Sequence, residues 1–268
     1  MSGLRRTAGI ALRQYYLLRS SPARVLSVYA WIMIDIILWG FISQYLNIAT
    51  ASGANFVPAL LGAVLLWDFF GRVMHGVTTS FLEDVWSQNF LNLFASPMSI
   101  TEYLGGLVLI STVLSILGLI AMIILATIAF GLRFFAYGLM LVPFLLVLFL
   151  FGIAMGIFGI ALVLRFGPAS EWLVWPIPAI VTPFAAVVYP VATLPAWMQW
   201  VSKLLPPSYV FEGLRMIVAG NSPPVGGLIL GFVLCVLYIL VASWIFAHTY
   251  RMITRSGLLA RYKAEGST

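Results

Sequence analysis

Four ionisable side chains stand inside otherwise apolar sequence: Asp35, Asp68, Arg72 and His75. Charge inside an apolar run is costly, so such groups either line an ion or substrate path or pair with one another. Asp68, Arg72 and His75 recur at i, i+4 and i+7, which puts them on one face of a helix. An Asp68–Arg72 pair would lower the cost of both, and a lock between helices is the favoured reading of that pair. Asp35 falls at similar depth in its own run. It and His75 leave both readings open, a polar path lining or a packing device. Catalysis is not expected, because no nucleophile or set of metal ligands accompanies the four. The single cysteine, Cys235, lies in the apolar run Phe232–Leu240 and is read as a small buried or lipid-facing side chain. It cannot form an internal disulfide, and no Cys/His cluster points to a metal.

The elements that must hold these residues follow from composition. Only 8% of the 268 residues are charged, 62% are hydrophobic and the mean hydropathy is +1.07. A soluble domain carries about 25% charged residues, so most of this surface faces lipid. The formal net charge of +6 would suit nucleic acid in a soluble protein. Here the basic residues gather near the chain ends, which suits orientation beside a membrane, and no nucleic-acid partner is expected. Arg13 and Arg19 interrupt the early sequence too soon for a signal peptide.

An apolar run of about 20 residues crosses the hydrocarbon core. The chain is therefore read as an all-α membrane protein, one domain over 1–268 with about six transmembrane helices, near 25–46, 56–81, 103–130, 136–164, 172–190 and 225–247. Before them, 1–22 holds an amphipathic segment. Leu4, Ala8, Leu12 and Tyr15 share a face there, and Arg5, Arg6 and Arg13 are free to reach lipid headgroups. With the N-terminus inside, ten Lys/Arg fall in inner segments and three in outer ones, which places both termini, including the tail 248–268, in the cytoplasm. A multi-pass protein of the plasma membrane, the bacterial inner membrane, is expected. Gly152-x3-Gly156 with Gly159, and Gly227-x3-Gly231, would let helices approach closely.

The segment 191–224 is more than a connector. Pro176, Pro178 and Pro183 lie in the preceding run, and Pro190 ends it. Proline in lipid is tolerated only where neighbours supply partners for the backbone. Leu194–Leu205 then reads as a short amphipathic helix. Pro206-Pro207 breaks the chain, and Ser208 caps a second helix over 209–219, which Gly220 ends. Glu212 and Arg215, three apart, can pair. The residues alone leave two readings open: a re-entrant gate, or an interfacial loop anchored by Trp197, Trp200 and Tyr209.

Val188-Tyr189-Pro190, Leu194-Pro195-Ala196-Trp197 and Leu205-Pro206-Pro207-Ser208-Tyr209-Val210-Phe211-Glu212-Gly213-Leu214-Arg215 together resemble the signature of ABC-2 type permeases. The resemblance extends over nearly the whole chain. It implies six spans, a cytoplasmic amphipathic helix at the N-terminus, and short re-entrant helices in 191–224 that act as a gate. It also implies a coupling helix within 83–98 that docks on an ATPase. Trp86, Phe90, Leu93 and Phe94 would form its docking face, with Glu83 and Asp84 at its start. An interfacial helix on lipid is the alternative, and the absence of Lys or Arg in 83–98 argues against it. The chain has only two lysines, and neither completes the Gly-x4-Gly-Lys-Ser/Thr phosphate loop. The resemblance therefore implies ATP and Mg on two separate ABC ATPase subunits, none bound by this chain, and a second permease copy meeting the first through spans one and five. Asp35, Asp68, Arg72, His75, Tyr189, Trp197, Tyr209, Glu212 and Arg215 are the candidate path or gate residues. An amphipathic drug-like, lipid or lipid-linked molecule is the expected cargo. The alternatives are export of polysaccharide or glycolipid, an ion-coupled carrier or channel using the four buried charges, and a membrane-embedded lipid enzyme.

Overall fold

The computed structural model describes residues 3–19, 22–50, 57–87 and 99–256, and every regular element among them is helical. In chain order these are α1 (Gly3–Arg19), α2 (Pro22–Thr50), α3 (Gly62–Trp86), α4 (Ile100–Phe130), α5 (Leu141–Phe166), α6 (Ile177–Ala185), α7 (Ala196–Leu204), α8 (Pro206–Val218) and α9 (Val225–Ser256). A π-turn, Val57–Leu61, leads into α3, and 3₁₀ turns precede α5, α6 and α7. Among the described residues, five helices are long and apolar enough to cross a membrane: Ala30–Ala49, Val57–Trp86, Ile100–Phe130, Phe134–Phe166 and Val225–Thr254.

The expected fifth span is not one helix. Between 167 and 190 the chain forms a 3₁₀ turn, Pro168–Leu173, then the nine-residue α6, which stops at Ala186 in a left-handed conformation. Proline accounts for the break. Pro176 sits at the start of α6, and Pro178 and Pro183 remove two backbone donors within it. The broken segment still travels from one end of the bundle to the other. Its start hydrogen-bonds beside the C-terminus of α5, through Ser170 Oγ to Leu162 O, and its end is held by Arg215 on α8.

Local signals set the other boundaries. Ser99 and Glu102 form a reciprocal capping box at the start of α4, and Gly131 at φ 66° ends it. The π-turn frees the Pro58 carbonyl, which accepts from Tyr137 Oη at 2.6 Å, so that carbonyl is not left without a donor. Pro206 opens α8, correcting the expected Ser208 cap: proline suits a first helical position because its missing donor has no helical partner there. Ser208 instead turns its hydroxyl back to the carbonyls of Ser202 and Leu205. Gly220, at φ 77°, does end that helix.

The core is α3 against α5, with α4 and α9 packed on either side. Phe70 and Phe151 stack at 5.2 Å between ring centres, both fully buried. Apolar burial does not drive association between helices in lipid, so close packing and small residues must. The Gly152–Gly156–Gly159 stripe supplies this within the chain. A Cβ added at Gly156 would lie 2.9 Å from Val77 and 3.0 Å from the Met74 carbonyl. Gly156→Leu is therefore expected to destabilise by about 1–3 kcal/mol, the usual cost of overpacking. A thermal melt in detergent followed by tryptophan fluorescence checks it, with Gly71→Leu, whose Cβ would meet open space, as the tolerated comparison.

Candidate functional site

Three polar constellations stand out, each at a junction between helices. The first joins the start of the chain to the end of α3. Asp84 is fully buried. Tyr103 Oη of α4 donates to its Oδ2 at 2.7 Å, and Arg13 of α1 lies 2.5 Å from its Oδ1, an ion contact whose N–H direction falls outside hydrogen-bond geometry. Gln14 Nε2 donates to the Ser80 carbonyl at 3.1 Å, and Arg6 sits 3.5 Å from Glu102. Between these polar ties Ile10 packs into the space over Gly106, where a Cβ would come within 2.6 Å. Arg6 and Arg13 thus turn toward protein carboxylates, which corrects for those two the expectation that they reach for headgroups, while Arg5 is exposed. Glu83 and Asp84 close the last turn of α3; they do not open a separate helix. Trp86, next in line, is half exposed at 52%. Phe90, Leu93 and Phe94 lie outside the described residues.

The second constellation lies within the spans. Arg72 Nε donates to Asp68 Oδ2 one turn away, the pair expected from spacing. Arg72 also acts electrostatically on Asp35 of α2, which has no ion pair of its own among the described residues. The Arg72 stem passes over Gly118 of α4; a Cβ there would lie 3.1 Å from Arg72 Cδ. The side chain thereby pairs within α3 and packs α3 against α4. His75 faces elsewhere. Its ring packs on Trp175 of the broken segment, 4.8 Å between centres, and its Nε2 is buried with no hydrogen-bond partner.

The third constellation fastens the broken segment to α8. Arg215 donates to the carbonyls of Ala186 at 2.9 Å and Val187 at 3.3 Å, the two orphaned acceptors where α6 stops. It also donates to Glu212 at 3.0 Å, and Glu212 accepts from the Val191 amide at 2.7 Å. Tyr189 Oη donates to Pro183 O, and Tyr209 Oη to Lys203 O. Trp197 is 63% exposed, with its ring edge toward Phe184. α7 faces the opposite way from a helix on a soluble protein: Trp197, Trp200 and Leu204 point outward, while Ser202 is fully buried and donates to Phe184 O. That arrangement suits a lipid–water interface.

Ala186 holds φ 52°, a conformation costing a Cβ-bearing residue about 1 kcal/mol. Ala186→Gly should therefore leave the melting midpoint unchanged or raise it, and Ala186→Val should lower it. A midpoint lowered by Ala186→Gly would mean that Arg215 does not hold the turn in this geometry.

Sequence spacing finds the Asp68–Arg72 and Glu212–Arg215 pairs but does not join the path or gate residues into one site. No hydrogen bond or ion pair links the two pairs among the described residues. Between them lies a ring contact, Trp67 with Phe211 at 5.9 Å. Arg13 and Tyr103, which complete the Asp84 constellation, carry no signal in the local sequence.

Apolar spans, few buried polar groups and a proline-broken segment define a multi-pass, all-α membrane protein. The chain matches the family described as ABC-2 type transporter over residues 18–219, and it belongs to that family. It is thus a permease subunit of an ABC-type transporter, a class that generally works with an ABC ATPase partner. No curated protein matches the chain.

Proposed function

We propose that two copies of this chain pair with two ATPase subunits and export an amphipathic drug-like, lipid or lipid-linked molecule across the bacterial inner membrane, with both termini in the cytoplasm. The observation that carries this reading is the Asp84 constellation. It binds α1, the last turn of α3 and the first turn of α4 into one unit, and the two turns flank 88–98. A push on that segment by a motor would meet a rigid body. Without the constellation the push would dissipate in the end of one helix. ATP binding and hydrolysis belong to the partner subunits. Closure of those subunits would move the α1–α3–α4 unit and rock the spans, opening a route between the two permease copies. The exposed apolar face of α2, with Trp31, Ile34, Phe41 and Tyr45, and the broken segment beside α8 supply surfaces for the second copy and for cargo.

A single cysteine tests the docking. In a Cys235→Ala background, Trp86→Cys is expected to cross-link to the ATPase subunit in membranes, and the cross-link should intensify when nucleotide is trapped. A cysteine there that reacts only with lipid-soluble probes, with the ATPase present, would place the segment on the membrane and sink the reading. The ion-carrier alternative makes a separate demand: Asp35→Asn would abolish transport while ATP hydrolysis continued unchanged.

A further inference from the structure

A cavity of about 290 Å³ opens between α5 and α9, at the end of the bundle where α5 stops. It is lined by the apolar side chains of Leu162, Ile245 and Met252 together with the polar ones of Arg165, His248 and Thr249. Arg165 is exposed and stands in the last turn of α5. Among the described residues it has no carboxylate partner, and its one close contact is the soft Met252 sulfur. A guanidinium offers five donors in a planar fork suited to carboxylate or phosphate. Glu171, the nearest acid along the chain, forms no ion pair with it. The His248 ring is stacked on Trp244, 5.8 Å between centres, which fixes its orientation beside the cavity without using its nitrogens. Arg251 follows one turn later on α9 and adds positive field.

We infer that this cavity binds the phosphate-bearing headgroup of an anionic phospholipid, with Arg165, His248 and Thr249 on the headgroup and Leu162 and Ile245 against the start of an acyl chain. Three observations fit together. Arg165 has no carboxylate partner among the described residues, apolar side chains line the groove beside it, and the groove sits where α5 ends. Basic pockets of this kind between transmembrane helices match anionic headgroups. A free phosphate would satisfy the same donors but leave the apolar wall unused, so the lipid is the better fit.

The test is a thermal melt of the purified full-length chain in a neutral detergent, with phosphatidylglycerol, phosphatidylcholine or inorganic phosphate added separately. Phosphatidylglycerol is expected to raise the midpoint by several degrees, and phosphatidylcholine and inorganic phosphate to leave it unchanged. Arg165→Gln and His248→Gln should each remove most of the rise. Arg133→Gln, an exposed cation on the turn between α4 and α5, should retain it. Two variants guard against misfolding: if one lowers the lipid-free midpoint, the other still reads the site. An equal rise in the Arg165 and His248 variants, an equal loss in Arg133→Gln, or a rise with inorganic phosphate alone would each overturn the inference.

Discussion

Asp84→Ala should cost about 3–5 kcal/mol of stability, the range for stripping one partner from a buried ion pair. Asp84 is fully buried, so its removal leaves the Arg13 cation and the Tyr103 hydroxyl facing an apolar gap. Arg13→Ala should be as damaging from the other side, because it leaves the carboxylate buried without a counter-charge. The double replacement Arg13→Met/Asp84→Leu should recover much of the loss, since an ion pair replaced by packed apolar groups is often close to neutral. Tyr103→Phe removes a single hydrogen bond to a charged group and should cost about 1.5–3 kcal/mol. The measurement is the midpoint of unfolding in detergent for the three single variants and the double. If the permease role holds, the double variant carries a second signature. It should fold and bind the ATPase yet transport poorly, because an apolar contact ties α1 to α3 and α4 less rigidly than the buried ion pair.

Arg215→Met should reduce transport at least about tenfold while ATP hydrolysis by the partner continues. Two carbonyls and one carboxylate depend on the one guanidinium, and hydrogen bonds to charged groups contribute about 1.5–3 kcal/mol each. Without Arg215, the end of α6 loses its tie to α8, and the Glu212 bond to the Val191 amide remains between the broken segment and α8. Arg215→Lys should rescue little, because an ammonium is a point charge that cannot hold three acceptors in a planar fork. A transport assay beside an ATPase assay on the same preparation separates this outcome from misfolding, which would lower both. Normal transport by Arg215→Met would show that the Arg215 tie at the end of α6 is not needed for transport.

Most of the helical extent was legible in the sequence, because lipid demands long apolar runs, and Gly220 marks the end of α8. Charge pairs within one helix were legible for the same local reason, three or four residues being one turn. What escaped is what helices do to one another. Asp84 looked like the opening of a docking helix because acids favour helix N-termini. Its actual partners, Arg13 and Tyr103, come from different helices, and no spacing rule connects them. The fifth crossing reads as one span in the sequence because its apolar run is long enough to cross and proline is tolerated where neighbours supply partners. Three prolines in Pro176–Pro183 exceed what one helix can absorb, and Arg215 takes up the carbonyls left over. The two faces of α7 were readable, but not which face meets the protein. In a membrane the apolar face can turn outward, and here it does.

On the proposed function, this permease moves cargo only when a separate ATPase drives it. Co-reconstitution with that ATPase in proteoliposomes, followed by export of a fluorescent amphiphile, tests it most directly. Transport is expected to need ATP and Mg, to stop when the ATPase is omitted, and to fall sharply in Arg215→Met with hydrolysis intact. Transport by the permease alone down an imposed ion gradient, indifferent to ATP, would contradict it.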